Sequence, residues 1–189
     1  MPRRPLQFKQ MKDERKLSIL EAALPLFAIY SKEKVSIDSI CKNAKCSHGL
    51  IYHYFKNVDE IYSELLKSLT YKSLKEALFV NFKSMYAFDG LKHITNTLIT
   101  YFNEIHNICF ISLIINEEGK DSLYETLIYL IKRGQKEGDV TGGDPKDIAN
   151  AFLFIFKGMS LQYLLNKNSK VIIKDPDVVV ELFRKRSRV

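Results

Sequence analysis

Between Ser36 and Phe55 the chain reads SIDSICKNAKCSHGLIYHYF, and its two outer serines divide it into two short apolar helical patterns. Ser36 is expected to cap the first, whose inner face is Ile37, Ile40, Cys41 and Ala44, and Ser47 to cap the second. Only Lys45 and Cys46 are left for the connection, so it must be a tight turn. Two short helices joined in this way make a helix-turn-helix, whose second helix enters the major groove of DNA. The second helix also carries Tyr52, His53, Tyr54 and Phe55 in succession, more aromatic surface than one short helix can bury. At about 100° per residue, Ile51, Tyr54 and Phe55 share one sector and face a core. His48, Gly49, Leu50, Tyr52 and His53 fill the remaining sectors and are free to meet a ligand.

The chemistry of that free face suits nucleic acid. Gly49 lets a phosphate or base edge approach the backbone, and the Ser47 hydroxyl at a helix N-terminus suits a phosphate oxygen. Lys56 adds a point charge just past the helix. The alternative is that Tyr52 and His53 are ordinary surface residues of an amphipathic helix. The helix-turn-helix pattern around them favours the first reading, and charge agrees with it. The 189-residue chain has a formal charge of +7, and residues 1–57 hold eleven Lys or Arg against five Asp or Glu, a local balance of +6. That asymmetry points to an anionic partner, nucleic acid or a membrane surface.

Elsewhere apolar residues recur at three- and four-residue steps and no run alternates strictly, so the fold class is all-α. Ile19, Leu20, Ala23, Leu24, Phe27 and Tyr30 stripe a first helix that Pro25 is expected to kink. Asn57 is expected to cap a fourth helix, with Glu60 reaching back in a capping box, and this helix runs to about Leu78. Further helices are expected from Asp89 through Ile105, over Ile108 to Asn116, from Asp121 to about Lys136, and from Asp177 to about Arg184. Asp144 and Pro145 start a helix that is apolar nearly all round, which implies burial on two sides. The organisation expected is a helix-turn-helix domain over 1–57 and a helical domain over 58–189, with the helix of about 58 to 78 linking them.

Several functions are disfavoured. Three cysteines and a start, MPRRPLQFKQ, without the apolar stretch of a signal peptide indicate a reducing cytoplasm. The most apolar segment, Ala151 to Leu165, is interrupted by Lys157 and Gln162 and is too short to cross a bilayer, so no membrane span is expected. Cys41, Cys46, His48 and His53 match no common zinc spacing, so no metal or other cofactor is expected. An all-α enzyme using His106 with Glu104, Glu117 or Glu118 has no nucleophile, phosphate loop or metal-ligand spacing to support it.

Residues from about Lys12 to Leu66 also resemble the DNA-binding region of the TetR (tetracycline repressor) family, through LFAIYS and then VSIDSICKNAKCSHGLIYHYFKNVDEIYSELL. The resemblance implies a homodimeric transcription regulator, usually a repressor, on palindromic operator DNA, with a C-terminal domain that binds a small molecule and dimerises through its last two helices. Carried over by position, the DNA contacts fall on Ser36, Ser47, His48, Gly49, Leu50, Tyr52, His53 and Lys56. Ser31 and Lys45 stand where the family usually has glycine, and Leu50 where it usually has a small or hydroxyl residue. If positions 31 and 45 need a left-handed backbone, each costs roughly 1 kcal/mol.

In the C-terminal domain, Tyr101, Phe102, Phe110, Tyr124, Tyr129 and Phe152, with Phe156, either line a pocket for a small, mostly apolar effector or fill the core. Phe154, Leu161 and Leu165 on the long apolar helix, with Val178, Leu182 and Phe183 after it, are the expected dimer contacts. A DNA-binding accessory protein without an inducer is the rival within the same class.

Overall fold

The computed structural model describes residues 5–102, 105–166, 173 and 175–186, and the secondary structure in them is helical apart from one isolated bridge between Val140 and Arg184. Among the described residues ten α-helices follow one another: α1 Pro5–Ile29, α2 Ile37–Ala44, α3 His48–Tyr54, α4 Val58–Leu66, α5 Leu69–Leu78, α6 Ala87–Tyr101, α7 Ile105–Ile115, α8 Leu123–Glu137, α9 Pro145–Leu165 and α10 Pro176–Val180. Contacts divide the chain into Met1–Tyr71 and Lys72–Val189. The division falls beyond Asn57 because α4 packs on α1 and so belongs with the first unit.

In the first unit, α1 packs on α2 and α4, and α2 on α3. The stripe on α1 buries Ile19, Ala23, Leu24 and Phe27, and Ala28 joins them, while Tyr30 lies past the helix end and is half exposed. The helix continues through Pro25. Polar ties at the margin fix the helices to one another. Asn43 donates from Nδ2 to the Ala22 carbonyl at 2.6 Å, and Lys16 Nζ meets Glu64 Oε2 at 2.6 Å while lying 5.5 Å from the Phe55 ring centre. Lys16, and then Lys67, holds the Glu64 carboxyl below its usual value, against a smaller opposing effect of burial. This stabilisation is present above the ordinary carboxylate pKa and fades as pH falls through the depressed one.

The two positions where glycine is usual behave differently. Ser31 is extended (φ −61°, ψ 151°), because a short 3-10 turn over Lys32–Lys34 takes up the change of direction, so no strain arises there. Lys45 is left-handed (φ 50°, ψ 47°) and is the only non-glycine residue with positive φ among the described residues. Lys45→Gly is therefore expected to raise the stability of the first unit by up to about 1 kcal/mol, the relieved strain being partly offset by glycine's greater freedom when unfolded. Thermal unfolding of the two proteins checks this; an unchanged or lowered midpoint would show that the lysine side chain compensates.

The expected continuous helix from 58 to 78 is interrupted at Lys67 and Ser68, where α4 ends and α5 begins. Ser68 Oγ accepts from the Tyr71 amide at 3.3 Å and acts as the start signal of α5. Asn57 caps α4 by accepting from the Glu60 amide at 2.9 Å. Glu60 reaches back, as expected, but to the amide of Lys56 (2.6 Å) and not to that of Asn57.

In the second unit α6 packs on α8 and α10, α7 on α8 and α9, and α8 on α9. Close approach is made possible by Gly134 on α8, where an added Cβ would strike Val140. Arg133 joins α8 to the segment before α6, donating to the Phe82 carbonyl at 2.8 Å and to the Met85 carbonyl, and Glu137 accepts from the Ala87 amide at 2.7 Å. The last described residues lie along the loop after α8: Thr141 N donates to Phe183 O at 2.9 Å and Lys185 N to Asp139 O at 2.8 Å.

Asp144 caps α9 and Pro145 opens it, as the loop sequence predicts. With 21 residues and a mean hydropathy of 1.4 over its most apolar window, α9 is long and apolar enough by composition to cross a bilayer, contrary to expectation. A core helix meets the same test, and one face of α9 (Ala149, Phe152, Leu153, Phe156, Met159 and Ser160) is buried in this unit.

Candidate nucleic-acid interface

The local chemistry of α2 and α3 presents one row of side chains to solvent. Ser36 closes a reciprocal capping box with Ser39, each side chain accepting from the other's amide (3.1 and 3.2 Å). Ser47 accepts from the Leu50 amide at 3.3 Å and starts α3. Ile51 and Phe55 are fully buried and Tyr54 partly, which orients α3 as its helical angles require. Ser36, Ser47, His48, Gly49, Tyr52, His53 and Lys56 are consequently exposed, and Leu50 is half-buried beside them. Space around Gly49 is open, with no atom within 4 Å of where a Cβ would stand.

Three of these residues have restricted roles. His48 Nε2 lies 2.8 Å from Asp38 Oδ1 on α2, so that nitrogen is engaged within the protein. The His53 ring stands edge-on to Tyr54 at 4.9 Å between ring centres. Lys56 has its amide occupied by Glu60, which leaves the ammonium as its group for an anion. Tyr52 is 57% exposed.

A neighbouring feature was not anticipated. Leu26, Tyr30, Lys34, Ser39, Lys42 and Asn43 line an open groove of about 670 Å³ between the end of α1 and α2. Its two lysines extend the positive surface beyond α3. The signal was present as Lys34 in the turn before α2 and Lys42 on α2, but no motif draws attention to them.

The expected effector and dimer residues separate clearly. Phe102, Phe110 and Phe152 are buried, Tyr101 and Tyr124 partly so. Tyr129 is 44% exposed, its ring lying 5.7 Å from the Arg133 guanidinium on the surface of α8, which removes it from the interior set. Phe152 packs against Phe156 and Phe183 at 5.3 and 5.5 Å between ring centres. Phe183 is thus part of its own unit's core and not of an outward face, a correction that follows from its contact with Phe152. Phe154, Leu161, Leu165, Val178 and Leu182 are all exposed. The side chains of Glu104 and His106 lie outside the described residues. A group that sequence reasoning missed is Ser160, buried on α9 with no hydrogen-bond partner for its hydroxyl among the described residues. Nothing in the surrounding sequence marks it.

Residues 19–65 match the family described as bacterial regulatory proteins, tetR family. Over 66 residues the chain is 35% identical to the uncharacterized HTH-type transcriptional regulator YhgD of Bacillus subtilis (strain 168), a match covering 35% of this chain and 34% of that protein. The match thus spans about a third of the length of the curated relative. Two solved structures share the fold at low identity. Apo AibR aligns with a TM-score of 0.58 and 16% identity over 90% of this chain and 98% of that one. SmeT, the repressor of the Stenotrophomonas maltophilia multidrug efflux pump SmeDEF, aligns at 0.53 and 15% over 90% of each. The match over residues 19–65 takes in the capped helices and the solvent-facing row of α3, and it supports a regulator of the tetR family of bacterial regulatory proteins.

Proposed function

We propose that the protein is a sequence-specific DNA-binding transcription regulator of the cytoplasm, acting as a homodimeric repressor released from a palindromic operator by a small, mostly apolar molecule. The observation that carries the DNA-binding part is the exposed row Ser47, His48, Gly49, Tyr52, His53 and Lys56 on a capped helix held by buried Ile51 and Phe55. Tyr52 and Lys56 meet phosphates, whereas His53 and Leu50 read bases, Leu50 through an apolar contact with a thymine methyl. The basic groove beside Lys34 and Lys42 supports a footprint wider than α3 alone.

Dimerisation rests on the exposed apolar residues of α9 with Val178 and Leu182. The effector reading rests on the buried aromatics Phe102, Phe110 and Phe152 and on Ser160, whose buried hydroxyl supplies a polar handle within an apolar interior. Release is a population shift: a ligand that favours a different arrangement of α4 changes the separation of two α3 helices, and both half-sites are lost together. That SmeT is a repressor of an efflux pump agrees with this reading.

Binding to duplex DNA as a function of salt tests the interface. Tyr52→Phe and Lys56→Ala are expected to weaken binding to every sequence, and Lys56→Ala to reduce the salt slope by about one charge. His53→Ala and Leu50→Ala are expected to change base preference in a selection from random duplexes. Unchanged affinity and preference in all four variants at fixed salt would remove α3 from the interface.

A further inference from the structure

We propose that Cys41 and Cys46 form an oxidation site at which a peroxide closes a disulfide across the turn between α2 and α3. The placement follows from how α2 ends. Lys45 turns left-handed, and the Cys46 amide folds back to donate to the Cys41 carbonyl at 3.1 Å. In helix ends of this kind the side chains two positions past the end and three positions before it meet in an apolar contact. Here both positions are cysteine. Cys41 is buried on the inner face of α2, and Cys46 is partly open to solvent in the turn. Burial first, and then the neighbouring Cys46, pushes the Cys41 thiol above its ordinary value. Cys109, by contrast, sits in the second unit with burial raising its thiol to about 12, and takes no part.

Cys46, the more accessible sulfur, reacts as its thiolate with hydrogen peroxide. A sulfur–oxygen bond forms, the oxygen–oxygen bond breaks, and the departing hydroxide takes up a proton to become water. The Cys41 sulfur then attacks the resulting sulfenic acid. The sulfur–sulfur bond forms, the sulfur–oxygen bond breaks, and the hydroxyl leaves as a second water with the Cys41 proton. Two thiols are oxidised by two electrons in all, and one peroxide is reduced to two waters. A disulfide needs its sulfurs about 2.0 Å apart, so the turn must tighten. Ser47 follows Cys46 directly and caps α3, so tightening displaces the N-terminal end of the helix that carries the exposed row. The bond itself is independent of what α3 binds; its effect on DNA rests on the DNA-binding reading.

The test uses the full chain with Cys109→Ser, alongside the same protein carrying Cys46→Ser as well. Each is treated with hydrogen peroxide, quenched, denatured and labelled with a maleimide, and its intact mass is measured. The pair-containing protein is expected to lose two hydrogens as a monomer, to accept no label, and to accept two after dithiothreitol. With Cys46→Ser the remaining Cys41 is expected to take one label. Two labels on the peroxide-treated pair, or links only between chains, would overturn the proposal. Should Cys109→Ser fail to fold, peptide mapping of the unaltered protein asks the same question: a linked Cys41–Cys46 peptide supports the site, and free thiols at both overturn it. Binding to a mixed-sequence duplex separates the consequence. A several-fold loss on oxidation, restored by dithiothreitol, is expected; equal affinity in both states would overturn the effect on α3, and failure of the reduced protein to bind any duplex would overturn the DNA-binding reading while leaving the disulfide to the mass measurement.

Discussion

Phe55→Ala is expected to unfold the first unit at temperatures where the unaltered protein is stable. The ring is 1% exposed at the C-terminal end of α3, and Lys16 on α1 lies over it. Emptying such a site costs about 3–5 kcal/mol, the lost transfer energy plus the cavity left behind. A native domain has a total stability on the order of 5–15 kcal/mol, so a large share of its margin is removed. Hydrogen exchange at the amides of α1 to α4 measures the effect directly, with DNA binding expected to fall in parallel. Tyr54→Ala, at a partly exposed position, is expected to cost much less. Protection of α1 to α4 that survives Phe55→Ala would show that the interface does not depend on this anchor.

The second large effect concerns α9. Phe154 and Leu161 are 65% and 46% exposed, so a glutamate at either position meets water in a single protomer and leaves its fold intact. In a dimer built on this face the same charge is desolvated, at a cost of several kcal/mol. Phe154→Glu with Leu161→Glu is therefore expected to convert the protein to monomers in sedimentation at micromolar concentration, with helix content unchanged. Phe152→Glu provides the contrast: that side chain lies within 5.5 Å of Phe156 and Phe183 in the core and is expected to unfold the unit. A monomer for the unaltered protein would defeat the dimer proposal.

The all-α fold and the capped helices were legible because their signals are local. Ser36, Ser47, Asn57 and Asp144 each act within three residues, and the angular positions of Ile51 and Phe55 follow from helix geometry alone. The break at Lys67 and Ser68 had a signal too, in Ser68 as a cap, but neither glycine nor proline marks it and the apolar spacing continues through it. Phe183 was placed outward because periodicity in so short a helix cannot choose between two faces; its neighbour Phe152, distant in sequence, decides it. Tyr129 turned outward because Arg133, one turn on, holds the ring at the surface. The conformation at Ser31 was illegible for a related reason. A left-handed residue and a 3-10 turn both redirect a chain after a helix, and composition does not distinguish them.

The pairing of residues 139–141 with 183–185 has a consequence during synthesis. The packing of α1 on α2 and α4, and of α2 on α3, lies within a segment that leaves the ribosome before the second unit does, so the first unit can reach its native state while translation continues. The second unit must wait for Phe183 and Lys185, because the backbone bonds to Thr141 and Asp139 and the ring contact with Phe152 close only then. Until that moment Phe152 on α9 lacks its Phe183 neighbour, and the nascent chain is a folded first unit attached to an unsealed bundle. Chaperone demand on this protein is therefore concentrated in the interval between the emergence of α9 and that of residues 183–185.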